Sequence, residues 1–203
     1  MPVLVGLGRV AAPIALTCAV IAAVRLPRPA RAYADGPPAA HTGGFGEPTC
    51  HRCHFDHSLN ESSLRARLTL ADAPASFTAG RRYRLRVAVS QPEMRAAGFQ
   101  LTARFADGPQ AGRQAGSFRA ADARADVRTT RGSSIQYAQH TRVGTVLTAT
   151  DSAAWTIEWT APRTSAGRVV FHVSANAANG DDSEFGDHIY AASFVAESAT
   201  MKK

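Results

Sequence analysis

Apolar and polar residues alternate with a period of two along most of the chain. Leu64, Ala66, Leu68 and Leu70 open the pattern, and Tyr83, Leu85, Val87 and Val89 continue it against Arg82, Arg84 and Arg86. Phe99, Leu101, Ala103 and Phe105 alternate with Gln100, Thr102 and Arg104. Trp155, Ile157 and Trp159 repeat the pattern, as do Val169, Phe171 and Val173, and finally Tyr190, Ala192 and Phe194. Successive strand side chains point to opposite faces, so each run predicts a strand with one buried and one wet face. Turn formers separate the runs at Ala79-Gly80, Asp107-Gly108-Pro109, Arg131-Gly132-Ser133, Ser165-Ala166-Gly167 and Asn179-Gly180-Asp181. Short alternating strands without a convincing amphipathic helix predict an all-β, antiparallel β-sandwich of about seven to nine strands over residues 63–197. A helical turn near Gln91–Arg95 is the one departure expected, and 198–203 reads as a tail.

Both the start of the chain and the segment before the sandwich differ from this. Arg9 precedes an apolar run from Val10 to Val24, then Pro27 and Pro29, then the small-residue patterns Ala30-Arg31-Ala32 and Ala32-Tyr33-Ala34. This reads as an export signal over 1–34, cleaved before Asp35. The run is 15 residues long, short of the roughly 20 that span a membrane. Arg25, Arg28 and Arg31 beyond it keep a retained signal anchor as the alternative. Residues 35–62 are rich in Gly, Pro, His and polar residues with no periodicity, which predicts an irregular arm.

Removing the leader changes two totals. The whole chain of 203 residues carries 23 basic and 16 acidic residues, a charge of +7 that resembles a nucleic-acid footprint. Without Arg9, Arg25, Arg28 and Arg31 there remain 19 basic residues against 16, and nucleic acid loses its support as a partner. Of three cysteines, Cys18 leaves with the leader, so Cys50 and Cys53 alone enter an oxidising compartment.

These two stand in Cys50-His51-Arg52-Cys53-His54, a C-x-x-C-H sequence. The spacing suits one covalently attached haem c: each thiol adds to a porphyrin vinyl group, and the next imidazole falls beneath the iron as an axial ligand. Two other readings stay open. Cys50, Cys53 and His57 with His54 or His51 could hold tetrahedral zinc, or the two cysteines could form a disulfide. The arm is too short to enclose a haem alone, so its walls must come from the sandwich or a partner.

Further along, Gly98 to Ala103, Gln139-His140-Thr141, Trp155 to Pro162, Val170-Phe171, Asn176 to Gly180 and Gly186 to Tyr190 occur in an order that resembles the reelin-type (Reeler) domain. They are most similar to its bacterial relatives, the choice-of-anchor V domains. Those proteins commonly open with G-x-x-G-E-x-x-C-x-x-C-H, which Gly43 through His54 matches at every fixed position. The resemblance extends over about residues 43–196 and implies an Ig-like, extracytoplasmic sandwich. Many relatives carry a C-terminal sorting tail, which Met201-Lys202-Lys203 does not supply.

The sixth iron ligand is the next question. His140, beside Gln139 and Thr141, is the leading choice; His188, His172 and Met94 follow, with His41, His51, His57 or an open position behind them. Asp181, Asp182, Glu184 and Asp187 offer oxygen ligands for calcium, but their spacing fits no EF-hand and turn capping explains them as well. Arg82, Arg84 and Arg86 read as a solvated face that could meet an acidic partner, or a haem propionate if the arm folds over that sheet. No G-x-S-x-G, H-E-x-x-H or phosphate loop occurs. The expected function is therefore extracytoplasmic electron transfer by a monohaem, c-type cytochrome-like protein to an unknown redox partner, with a peroxidase or sensor role less favoured. The alternative is a secreted Reeler-like adhesion or binding module whose Cys pair is a disulfide or zinc site.

Overall fold

The computed structural model describes Met1 and residues 33–62, 65–164 and 167–199. The body of the leader, Leu64, the Ser165-Ala166 turn and the tail from Thr200 lie outside the described residues. Ten strands occur among those described: β1 (Arg67–Ala71), β2 (Ser76–Phe77), β3 (Arg82–Ser90), β4 (Ala96–Phe105), β5 (Ser117–Ala120), β6 (Ala125–Thr129), β7 (Gln136–His140), β8 (Ser152–Thr160), β9 (Val169–Ala178) and β10 (His188–Ser198). They form a four-stranded sheet, β1-β3-β8-β5, and a six-stranded sheet, β2-β10-β9-β4-β7-β6. The protein is thus an all-β sandwich, as the alternation predicts.

Three details differ from that prediction. The strand count exceeds nine because β5, β6 and β7 are four or five residues long and carry too few apolar residues to display a period. Pairing is antiparallel except where β2 runs parallel to the end of β10. Around Gln91–Arg95 the chain makes a turn rather than a helix, with Glu93 in the left-handed region at φ 68°.

The inner faces of the two sheets meet in a core of large side chains, including Trp155, Trp159, Phe77, Phe99, Phe171, Leu85 and Leu101. Both indoles have their polar atom satisfied: Trp155 Nε1 donates to Gly144 O at 2.9 Å and Trp159 Nε1 to Ala115 O at 3.0 Å. Burying each such side chain stabilises the fold by roughly 2–3 kcal/mol. Met94 is also packed here, 2% exposed, and so is core material rather than an iron ligand.

The outer face of the six-stranded sheet is where the arm matters. Gln100, Thr102 and Arg104 should be wet by alternation, yet they are 0%, 0% and 6% exposed. The arm bonds to Gln100 and Arg104, and β7 supplies the rest, including Gln136 O, which accepts from Thr102 Oγ1 at 3.1 Å, as burial of polar groups requires. Gln100 Oε1 accepts from His41 N–H at 2.7 Å, and its Nε2 donates to Pro38 O at 3.0 Å and to Gln139 Oε1 at 3.1 Å. Glu47 Oε1 accepts from Arg104 and from the Tyr137 hydroxyl, while Thr42 Oγ1 donates to Glu47 Oε2 at 2.7 Å. The Arg104 guanidinium also sits 5.3 Å from the centre of the Phe45 ring. Arg82, Arg84 and Arg86 lie on β3, in the other sheet, and remain exposed. The propionate role considered for them therefore does not apply.

Candidate functional site

The C-x-x-C-H segment forms a single 3₁₀ turn, Cys50–Arg52. Thr49 caps it: its Oγ1 accepts from His51 N–H at 3.2 Å. Cys53 and His54 N–H groups both donate to Cys50 O, each at 3.2 Å. Residues three and four apart on such a turn lie on one side, so Cys50, Cys53 and His54 are presented together. Cys50 N–H donates to Ser174 Oγ of β9 at 3.1 Å, which pins the turn to the sheet.

His54 is oriented from below by the loop between β9 and β10. Its Nδ1 lies 2.9 Å from Asp187 Oδ2. That carboxylate is 2% exposed, and accepts also from Asn176 Nδ2 at 2.8 Å and Asn179 N–H at 3.1 Å. A carboxylate on Nδ1 keeps the proton there and leaves the Nε2 lone pair available to a metal.

Cys50, Cys53 and His54 line an open cleft, and His140 lines the same cleft. Pro37, Pro38 and Ala96 to Gly98 give it apolar walls. His140, at the end of β7, is 8% exposed. Its Nδ1 accepts from Phe99 N–H at 3.0 Å, which assigns the proton to Nε2, and Nε2 donates to Tyr33 O at 3.1 Å. Burial lowers its pKa below the ordinary imidazole value, so the ring is neutral. Gly98 makes room for it: a Cβ there would lie 2.5 Å from His140 Cε1.

The cysteines are free of each other. Cys50 is half-buried and burial pushes its thiol up to about 11, while Cys53 is exposed. Among the described residues neither thiol joins a set of three His, Cys, Asp or Glu ligand atoms within 4.8 Å of one another. The zinc set imagined on Cys50, Cys53 and His57 is therefore not assembled; His57 instead stacks on His188, ring centroids 3.8 Å apart.

The remaining candidates do not all share the cleft. His41 lines the cleft. His172 packs against Phe45 at 5.5 Å, and His51 Nε2 donates to His57 O at 2.8 Å. In the acidic loop Asp181 Oδ1 accepts from Ser183 N–H at 2.9 Å, the turn-capping role; Asp187 serves His54. Spacing gave no sign of Asp187, Ser174 or Asn176 as partners of the turn, because each acts across a long loop. Glu47 could have been found, since it occupies the fixed glutamate of the opening pattern.

A family model, the Reeler domain, matches residues 48–179. The chain belongs to the Reeler family. Among solved structures this Reeler protein is similar to the human F-spondin reeler domain, at 16% identity over 70% of this chain and 96% of that one, with a TM-score of 0.43. It is similar also to the Reelin-N domain of F-spondin, at 16% identity over 72% and 96%, TM-score 0.43. A cohesin module from Clostridium perfringens aligns at 9% identity over 66% and 96%, TM-score 0.39. No curated protein matches the chain. Among the described residues no helix is long and apolar enough to cross a membrane.

Proposed function

We propose that this protein is an extracytoplasmic Reeler-type binding module whose cleft holds one covalently attached haem c for electron transfer. The observation that carries this reading is the convergence of Cys50, Cys53, His54 and His140 on one cleft, with Asp187 fixing the His54 tautomer. When bound, the haem would supply a one-electron couple at iron. Cys50 and Cys53 would anchor it through thioether links, and His54 Nε2 would be a donor to its iron. Family membership supports the binding-module part, and the donor set supports the haem part.

His140 has a conditional role. Cleavage before Asp35 would remove Tyr33, whose carbonyl accepts from His140 Nε2, and would open the cleft wall that Tyr33 and Ala34 form. The ring would then offer an N–H donor, or a ligand if the proton moves to Nδ1, which lies 3.3 Å from Phe99 O.

Export in a host with haem-attachment machinery tests the reading. The expected product is red, with a Soret band that survives acid-acetone extraction, one iron equivalent, and a mass of the mature chain plus haem. A colourless exported protein with Cys50 and Cys53 oxidised to each other would overturn it. The second reading, favoured by the family match alone, would then hold: an adhesion or partner-binding sandwich with a structural Cys pair.

A further inference from the structure

Outside the set of residues that line the cleft, three side chains from two distant segments converge. His188 Nδ1 lies 3.3 Å from Glu61 Oε2 and His57 Nδ1 lies 3.6 Å from the same oxygen. The two imidazoles are stacked at an interplanar angle of 16°, and all three ligand atoms fall within 4.8 Å of one another. Donor atoms around a tetrahedral zinc with bonds of about 2.0–2.1 Å are separated by about 3.3–3.4 Å. The two histidine-to-carboxylate separations, 3.3 and 3.6 Å, are close to that spacing, and the stacked imidazoles would turn out of parallel to aim both Nδ1 lone pairs at one ion.

The triad is held by the backbone rather than by chance contact. Asn60 N–H donates to Ile189 O at 2.9 Å, and Ala191 N–H donates to Asn60 Oδ1 at 2.7 Å. Asp56 Oδ2 accepts from Gly186 N–H at 2.9 Å. These bonds lock residues 56–60 along the start of β10, and Asn60 takes the left-handed turn, φ 58°, that brings the next residue, Glu61, back toward His188. The side chains of His57, Glu61 and His188 are 38%, 31% and 15% exposed. An ion can therefore enter from solvent while one ligand is well seated.

We propose that His57, Glu61 and His188 form a binding site for one divalent transition-metal ion of the zinc class. Two imidazoles and one carboxylate are the donor set of three-ligand zinc and two-histidine-one-carboxylate sites, in which further positions stay open to water or an exogenous ligand. The site is separate from the cleft and makes no use of Cys50 or Cys53. Asp187 and His188 are consecutive in sequence yet serve different centres, the first orienting His54 and the second binding the ion.

The test uses zinc on the exported full chain and on a Cys50→Ser/Cys53→Ser variant, with bound metal measured by elemental analysis after desalting and by calorimetric titration. Both proteins should retain one zinc equivalent. His188→Ala and Glu61→Gln should each weaken binding by more than the about 10–100-fold that losing an outer-sphere partner costs. Because His188→Ala could disturb β10, the more exposed His57→Ala is the control: it should lose zinc while its far-ultraviolet circular dichroism stays unchanged. Cobalt bound to the cysteine-free variant should show d–d bands without thiolate charge transfer. Zinc that disappears with the two cysteines, or that persists through the His57 and His188 substitutions, or absent binding in every protein, would overturn the proposal. The first result leaves the haem reading to be judged on iron alone, which the same elemental analysis reads.

Discussion

His54 Nδ1 and Asp187 Oδ2 lie 2.9 Å apart, joining the only histidine of the C-x-x-C-H pattern's fixed positions to a carboxylate that is sealed from solvent by Asn176, Asn179 and the arm. Substituting this carboxylate tests both structure and site. Asp187→Ala leaves Asn179 N–H and Asn176 Nδ2 without their acceptor and should lower unfolding free energy by about 3 kcal/mol in urea denaturation. Asp187→Asn keeps the shape but makes a poorer acceptor, and should raise the reduction potential of haem-loaded protein, measured by spectroelectrochemistry. An unchanged potential would show that the pair does not tune the axial ligand.

Glu47 is the clamp between arm and sheet. Its partner Arg104 is 6% exposed, so Glu47→Ala strands a buried cation. The expected cost is about 3–5 kcal/mol, accompanied by faster proteolysis within residues 35–62. Glu47→Gln should cost less because it can still accept from the Tyr137 hydroxyl. Equal stability of wild type and Glu47→Ala would show that the arm is held by other contacts.

The two thiols should differ sharply before haem attachment. With its thiol pushed up to about 11, Cys50 has a thiolate fraction of only about one in a thousand at pH 8, and its wall position restricts access. Iodoacetamide should therefore label exposed Cys53 first and Cys50 at least about 10-fold more slowly, with the Cys50 rate still climbing at pH 10. Peptide mass spectrometry of the haem-free protein reads both sites, and matched rates at pH 8 would contradict the burial of Cys50.

Stability should fall on mild acidification through His172. Burial, and secondarily the Arg104 cation, lowers its pKa below the ordinary value, and its Nδ1 is buried without a hydrogen-bond partner. A depressed folded-state value means the unfolded chain binds the proton first as pH drops through about 6.5. The contribution is present in full above that pH and is lost toward the lower folded-state value, at up to about 1.4 kcal/mol per pH unit. His172→Asn should flatten the dependence of Tm on pH between 5 and 7 in calorimetry; a steeper slope would reverse the assignment.

The alternation of Tyr83 to Val89, Phe99 to Phe105 and Trp155 to Trp159 was enough to read a sandwich, because period-two burial is a local property of strands. The C-x-x-C-H turn was legible for the same reason: i, i+3 and i+4 positions meet within one turn whatever surrounds them. His140 was placed by family likeness and does line the cleft with the cysteines. The Arg82, Arg84 and Arg86 stripe could not be assigned to a side, since alternation says that a face is polar but not what lies over it.

What the sequence determined by itself was therefore the class of fold, the donor types and their presentation on a short turn. Which sheet the arm covers, that Gln100 and Arg104 end up buried beneath it, that Asp187 reaches His54, and that His57 and Glu61 meet His188 were decided only in three dimensions. These contacts join residues separated by long stretches of chain, and their pairing follows from strand order and loop closure rather than from any neighbour-to-neighbour pattern.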